Sequence, residues 1–141
     1  SSLFNQDLSS WDVSSVTNMS YMFGYASAFN QPIGNWDVGN VFDMEDMFLR
    51  ADAFNQVIGN WDVSNVTSMS EMFKDAISFN QPIGGWDVGN VDGMYEMFRQ
   101  AETFNQDLST WNVDNVTNCF RFDLDTPQWT FPKPNFTNCT P

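Results

Sequence analysis

FNQVIGNWDVSNVTSMSEMFKDAIS, residues 54–78, is one of five near-copies laid end to end along the chain. Phe-Asn-Gln recurs at Phe4, Phe29, Phe54, Phe79 and Phe104, a spacing of 25 residues. Trp11, Trp36, Trp61, Trp86 and Trp111 keep the same step, as do Val13, Val38, Val63, Val88 and Val113. Met19, Met44, Met69 and Met94 form another column, in which Cys119 takes the fifth place. A fixed period of roughly 20 to 50 residues marks an array in which each unit is one coil. One unit cannot bury its own apolar face, so stacked neighbours supply the core. The chain therefore divides into a five-coil solenoid over residues 1–120, with repeats starting at 4, 29, 54, 79 and 104, and a non-repeat tail over 121–141.

Within residues 54–78, Ile58, Trp61, Val63 and Val66 are apolar and β-prone, and Trp61-Asp62-Val63 alternates as a short strand does. Gly59-Asn60 in front of it is a turn signal. Met69, Met72, Phe73 and Ala76 then follow at i, i+3, i+4 and i+7, the stripe of a two-turn helix. Ser68 is an N-cap type, and Glu71 three residues later completes a capping box. Arg50, Lys74 and Arg99 lie where the expected helices end, suiting the helix dipole. Pro32 and Pro82 lack a backbone donor and mark a corner between coils. The expected fold class is an α/β repeat solenoid, each coil a short parallel β-strand plus a short helix. Strands stacked at roughly 4.8 Å per coil give a slab about 24 Å tall.

The pattern Phe-Asn-Gln-x-Ile/Leu-x-x-Trp-Asp-Val-x-Asn-Val-x-x-Met-x-x-Met-Phe runs from Phe4 to about Phe120 and resembles the repeats of BspA-like surface proteins, as found in mycoplasma surface lipoproteins. The resemblance implies a leucine-rich-repeat-like array, a cell-surface or secreted location and a role in adhesion or assembly. It carries no catalytic residues.

Acidic residues outnumber basic ones 18 to 5 over 141 residues, histidine is absent, and the formal net charge is -13. A surface this negative repels phosphate backbones and anionic lipid, which argues against nucleic-acid partners. No apolar run approaches the roughly 20 residues of a bilayer span, so no membrane insertion is expected. The chain opens three residues before a repeat and is read as a processed or excised segment. Cys119 and Cys139 flank the tail and are expected to form a disulfide stapling it down, worth on the order of 3 kcal/mol. Sequons stand at Asn18, Asn65, Asn115, Asn135 and Asn138. With the cysteine pair they favour an extracellular, N-glycosylated protein.

Asp12, Asp37, Asp62 and Asp87 share a column that ends in Asn112. Such a column serves either as calcium ligands between coils or as acceptors of backbone N–H groups in its own turns. Asn112 fits the second role better, so calcium stays a weak candidate and no other cofactor is expected. The Asn-Gln columns suit amide ladders between coils, and the tryptophans suit the core rather than a sugar-stacking platform. No nucleophile–base pair, phosphate loop or histidine cluster appears, so a non-enzymatic structural or interaction role is expected. The ends suggest assembly: Trp11, Val13, Met19 and Met22 stand without a preceding coil, and Trp129 and Phe131 of the tail could cover those of the next subunit. Head-to-tail contacts of this kind extend into filaments. The alternative is a ligand-binding ectodomain fragment that recognises glycans or proteins on its regular face.

Overall fold

The computed structural model describes residues 2–141. It overturns the expected fold class. Among the described residues there is no helix, and strand pairing is confined to isolated parallel bridges linking Asn18, Asp43, Ser68, Gly93 and Asn118 in succession. The α/β solenoid of strand-plus-helix coils, and its leucine-rich-repeat-like description, are therefore incorrect. The chain is instead a stack of layers built almost entirely from turns.

In residues 54–78, Trp61 donates its N–H to Ile58 at 3.1 Å, Val66 to Val63 at 3.0 Å, Met72 to Met69 at 3.2 Å and Ala76 to Phe73 at 3.1 Å. Each bond closes a four-residue turn. The N–H groups of Met69, Glu71, Phe73 and Asp75 leave their own layer and reach the carbonyls of Gly93, Tyr95, Met97 and Arg99 at 2.7–2.9 Å. Glu71 and Asp75 stand third in the turns 69–72 and 73–76, with φ of 57° and 56°. A type II turn requires a positive φ at that place, and no right-handed helix can pass through it. The helical stripe has a second meaning here. Two back-to-back four-residue turns whose first and last residues point inward also give i, i+3, i+4 and i+7, and Met69, Met72, Phe73 and Ala76 are all buried. The expected strand fails for a similar reason. Asp62 accepts the N–H of Ser64 at 3.0 Å and leads straight into the turn that Val66 closes on Val63, so Trp61-Asp62-Val63 pairs with no neighbouring strand among the described residues.

Side chains knit the layers into one core. Phe48, Phe73 and Phe98 stack at centroid spacings of 5.5 Å, and Phe29, Phe54, Phe79 and Phe104 at 5.9–6.0 Å. The two columns interleave, with Phe48 only 4.2 Å from Phe54. Trp36, Trp61, Trp86 and Trp111 are buried and donate their indole N–H to the carbonyls of Leu8, Ile33, Ile58 and Ile83 in the layer before, at 3.0–3.1 Å. On the outer edge, the Oδ1 of Asn5, Asn30, Asn55 and Asn80 accepts the backbone N–H of the next asparagine, each at 2.9 Å. The Gln31, Gln56, Gln81 and Gln106 amides donate to the same oxygens at 3.0–3.2 Å.

The tail boundary also moves. Arg121 to Thr126 complete the fifth layer, because Glu96, Phe98 and Gln100 donate to the carbonyls of Phe120, Phe122 and Leu124 at 2.8–3.0 Å. The remainder starts a degenerate sixth layer in phase with the array. Trp129 falls 25 residues after Phe104 and meets it edge-on at 4.8 Å. Thr130 donates its N–H to Asn105 Oδ1 at 2.9 Å, as the asparagines do in earlier layers. Phe136 packs edge-on to Phe122 at 4.9 Å, and the bond between Cys119 and Cys139 ties this half-layer down.

Two substitutions test the turn stack with opposite signs. A Cβ on Gly59 would lie 2.6 Å from the Pro82 carbonyl oxygen of the next layer. Gly59→Ala should lower stability by about 2 kcal/mol in chemical denaturation, as overpacking does. Gln100 adopts φ of 58° without being glycine. Gln100→Gly should raise stability by about 1 kcal/mol through relief of that strain. A destabilised Gln100→Gly variant would contradict the left-handed geometry.

Candidate functional site

The columns that hold the stack together repeat nearly the same residue in every layer, and two of the columns that differ most lie along the turn ladder. The third residue of the first ladder turn reads Tyr21, Asp46, Glu71, Glu96 and Arg121; that of the second reads Tyr25, Arg50, Asp75, Gln100 and Asp125. All ten have positive φ between 50° and 65°, and no glycine does. The left-handed backbone turns each side chain off the ladder to form a lateral stripe. Exposed Phe42 and Phe120 border it, and Phe120 stacks with Tyr95 at 6.3 Å. Tyr21 stacks with Tyr25 at 6.1 Å, and the Arg50 guanidinium lies 5.7 Å from the Tyr25 ring centre.

Charge is arranged unevenly along the stripe. Glu96 is only 2 % exposed, with Arg99 at 2.6 Å and Lys74 at 3.4 Å. Burial opposes its charge, but hydrogen bonds from Tyr95, Arg99 and Lys74 outweigh burial and bring its pKa down to about 2. Lys74 also bonds Glu71 at 3.0 Å. Burial works against the ammonium, yet Glu71 and Glu96 hold its pKa above the ordinary value. One layer from Glu71, Asp46 forms no ion pair among the described residues; its pKa is pushed up to about 6 by burial first and by the charges of Glu71 and Glu45 next, with only Lys74 offsetting them among its main neighbours.

The residues singled out from sequence scatter over other faces. Cys119 and Cys139 are joined, with Cα atoms 5.8 Å apart. The Asp12, Asp37, Asp62 and Asp87 column is exposed, and each Oδ1 accepts the N–H two residues ahead at 3.0 Å. Among the described residues no three acidic, cysteine or histidine side chains converge as a metal site. All five sequon asparagines are exposed. Asn65, Asn115 and Asn138 spend their Nδ2 on carbonyls of Gly39, Gly89 and Asp114 at 2.6–2.7 Å, which competes with glycan attachment at that atom. Trp11 and Met22 are exposed on the first layer, but Val13 and Met19 are buried, since the second layer covers them. Trp129 is buried on its own fifth layer, leaving only Phe131 of that pair exposed. Sequence reasoning assigned Glu71 to a helix cap and missed the stripe. The available signal was the variation of that column between repeats.

The opposed shifts define a pH profile. Asp46 titrates near 6 folded against an ordinary 3.8, so its contribution is fully present below 3.8 and is lost as pH rises through 6. Glu96 titrates near 2 folded against an ordinary 4.5, so its contribution is present above 4.5 and is lost as pH falls through 2. Hydrogen bonds from Ser9, Ser14, Ser64 and Ser109 lower Asp7, Asp12, Asp62 and Asp107, which adds to the acid-side loss. Thermal unfolding should show maximum stability near pH 4 to 5. Asp46→Asn should flatten the decline between that maximum and neutral pH while keeping the acid-side fall. An unchanged neutral limb would refute the assignment to Asp46.

Comparison with curated proteins and with solved structures finds no match. Two overlapping stretches, residues 1–59 and 32–123, match one family, so most of the array is covered and the tail beyond residue 123 is not. The chain belongs to the family described as Mycoplasma protein of unknown function, DUF285.

Proposed function

We propose that this chain is a non-enzymatic recognition module displayed outside the cell, an adhesin-type array of the kind that BspA-like surface proteins represent. The observation that carries the proposal is the division of labour between columns. Phenylalanine, asparagine, tryptophan and valine recur because the stack uses them in every layer, whereas the stripe changes from layer to layer and is used by the fold only around Glu71 and Glu96. A rigid frame with one freely decorated face suits binding of an extracellular protein or glycan. The disulfide and the exposed sequons support an oxidising location, with Asn18 and Asn135 the sites whose Nδ2 is not engaged by the fold.

Head-to-tail assembly through Trp129 is the weaker reading. Trp129 packs on Phe98 and Phe104 of its own chain at 5.3 and 4.8 Å and is not free to cover a neighbour.

The purified chain should be screened against extracellular matrix proteins and a glycan array. A triple variant, Phe42→Ala, Asp46→Ala and Tyr95→Ala, should weaken any binding found by at least about tenfold, about 1.4 kcal/mol. A control on another face, Val57→Ser with Asn60→Ser, should bind as the parent does. Equal losses in both variants, or no binding at about 100 μM, where a complex is worth roughly 5.5 kcal/mol, would overturn the proposal.

A further inference from the structure

The turn ladder ends with donors that have nothing to bond. Along the fourth layer the N–H groups of Glu96, Phe98 and Gln100 reach carbonyls of the fifth at 2.8–3.0 Å. The equivalent groups one layer on belong to Arg121, Asp123 and Asp125, and among the described residues none has an acceptor. The tail does not cover them. Its hydrogen bonds go to the other half of the fifth layer, where Leu108 donates to Pro132 at 2.9 Å and Asn138 donates to Asp114 at 2.6 Å. It meets the ladder half through side chains, Cys139 on Cys119, Phe136 on Phe122 and Lys133 on Asp123. Among the described residues, half of the sixth layer is therefore supplied with acceptors and the ladder half is not.

Beside the open half lies a hollow of about 570 Å3 lined by Gln100, Glu102, Asp123, Asp125, Thr126 and Pro127. Asp123 is paired with Lys133 at 2.7 Å, while Glu102 and Asp125 form no ion pair among the described residues. An unpaired row of donors is a template for an added strand, and strand addition draws affinity from the main chain and specificity from flanking pockets.

We propose that this open half-layer docks an extended peptide segment of another protein that carries a basic side chain toward its carboxyl end. The segment runs parallel to residues 119–126. Three of its alternate carbonyls accept the N–H groups of Arg121, Asp123 and Asp125, and its lysine or arginine enters the acidic hollow beyond the third. Charge selects the occupant, since a chain of net charge -13 repels acidic partners. A complete second copy is the wrong shape, because a full layer stacked here would overlap Trp129, Pro132 and Phe136. The site takes in the fifth-layer end of the lateral stripe, Arg121 and Asp125, but shares none of Phe42, Asp46 and Tyr95, so the two proposals are tested by different variants.

The probe is a labelled, end-blocked peptide with the sequence of residues 67–77 carrying Asp75→Lys. Its glutamate then falls in the column of Arg121 and its new lysine in the column of Asp125. Fluorescence anisotropy should show saturable binding to the whole chain, at least about tenfold tighter than for the unsubstituted peptide. Asp125→Lys in the chain should reverse that preference. Hydrogen exchange should slow at the amides of Arg121, Asp123 and Asp125 when peptide is added. Absence of saturation, equal affinity for both peptides, protection confined to other amides, or protection of these amides by dimerisation without peptide would each overturn the proposal.

Discussion

A turn leaves backbone N–H groups that its own residues cannot satisfy, and a buried N–H without an acceptor is costly. Along the first four layers every second donor of the ladder finds its acceptor 24 residues ahead, as Met19 does at Asp43 and Tyr21 at Glu45. That register sets the length of the repeat and the hand of the backbone. Alternate donors can point along the stack only if residues such as Glu71 and Asp75 take a positive φ. Each such residue costs on the order of 1 kcal/mol or more, and the bonds between layers offset the strain. The phenylalanine and tryptophan columns follow from the same register, because equal turns stacked in step place equal side chains above one another.

Much of this was legible in the sequence. The period, the tryptophans in the core, the asparagine–glutamine bonds between layers and the aspartates closing their own turns all follow from residue type and column. The local fold was not legible, for a geometric reason. Met69, Met72, Phe73 and Ala76 satisfy a helical stripe and a pair of four-residue turns equally well, and hydrophobicity alone cannot separate them. Left-handed glutamate, tyrosine and arginine give no compositional warning, since glycine and asparagine are the residues normally expected there. The tail was misplaced because Trp129 replaces phenylalanine in its column, which hides the phase that Asn105 still reads by bonding Thr130.

The stripe shows how the frame and its decoration interact. Glu96 is buried and needs both Lys74 and Arg99, so two of the few cations are committed to one end of a column of like charges. Asp46, farther along the column, shares only part of that compensation. The polarity of the stripe is thus set by where cations sit relative to the carboxylates, not by their number: one column runs from Asp46 to Arg121 and the other, in the opposite sense, from Arg50 to Asp125.

The in-phase tail has a further consequence for how such an array can change size. Its contacts are with the two layers beneath it, through Phe98, Phe104, Asn105, Phe122 and Cys119. Removing or duplicating one whole 25-residue unit between Phe29 and Phe79 would leave every one of those contacts intact. A change of any other length would throw all later columns out of step. The array can therefore change length in quanta of one layer without disturbing the half-layer laid over its last coil.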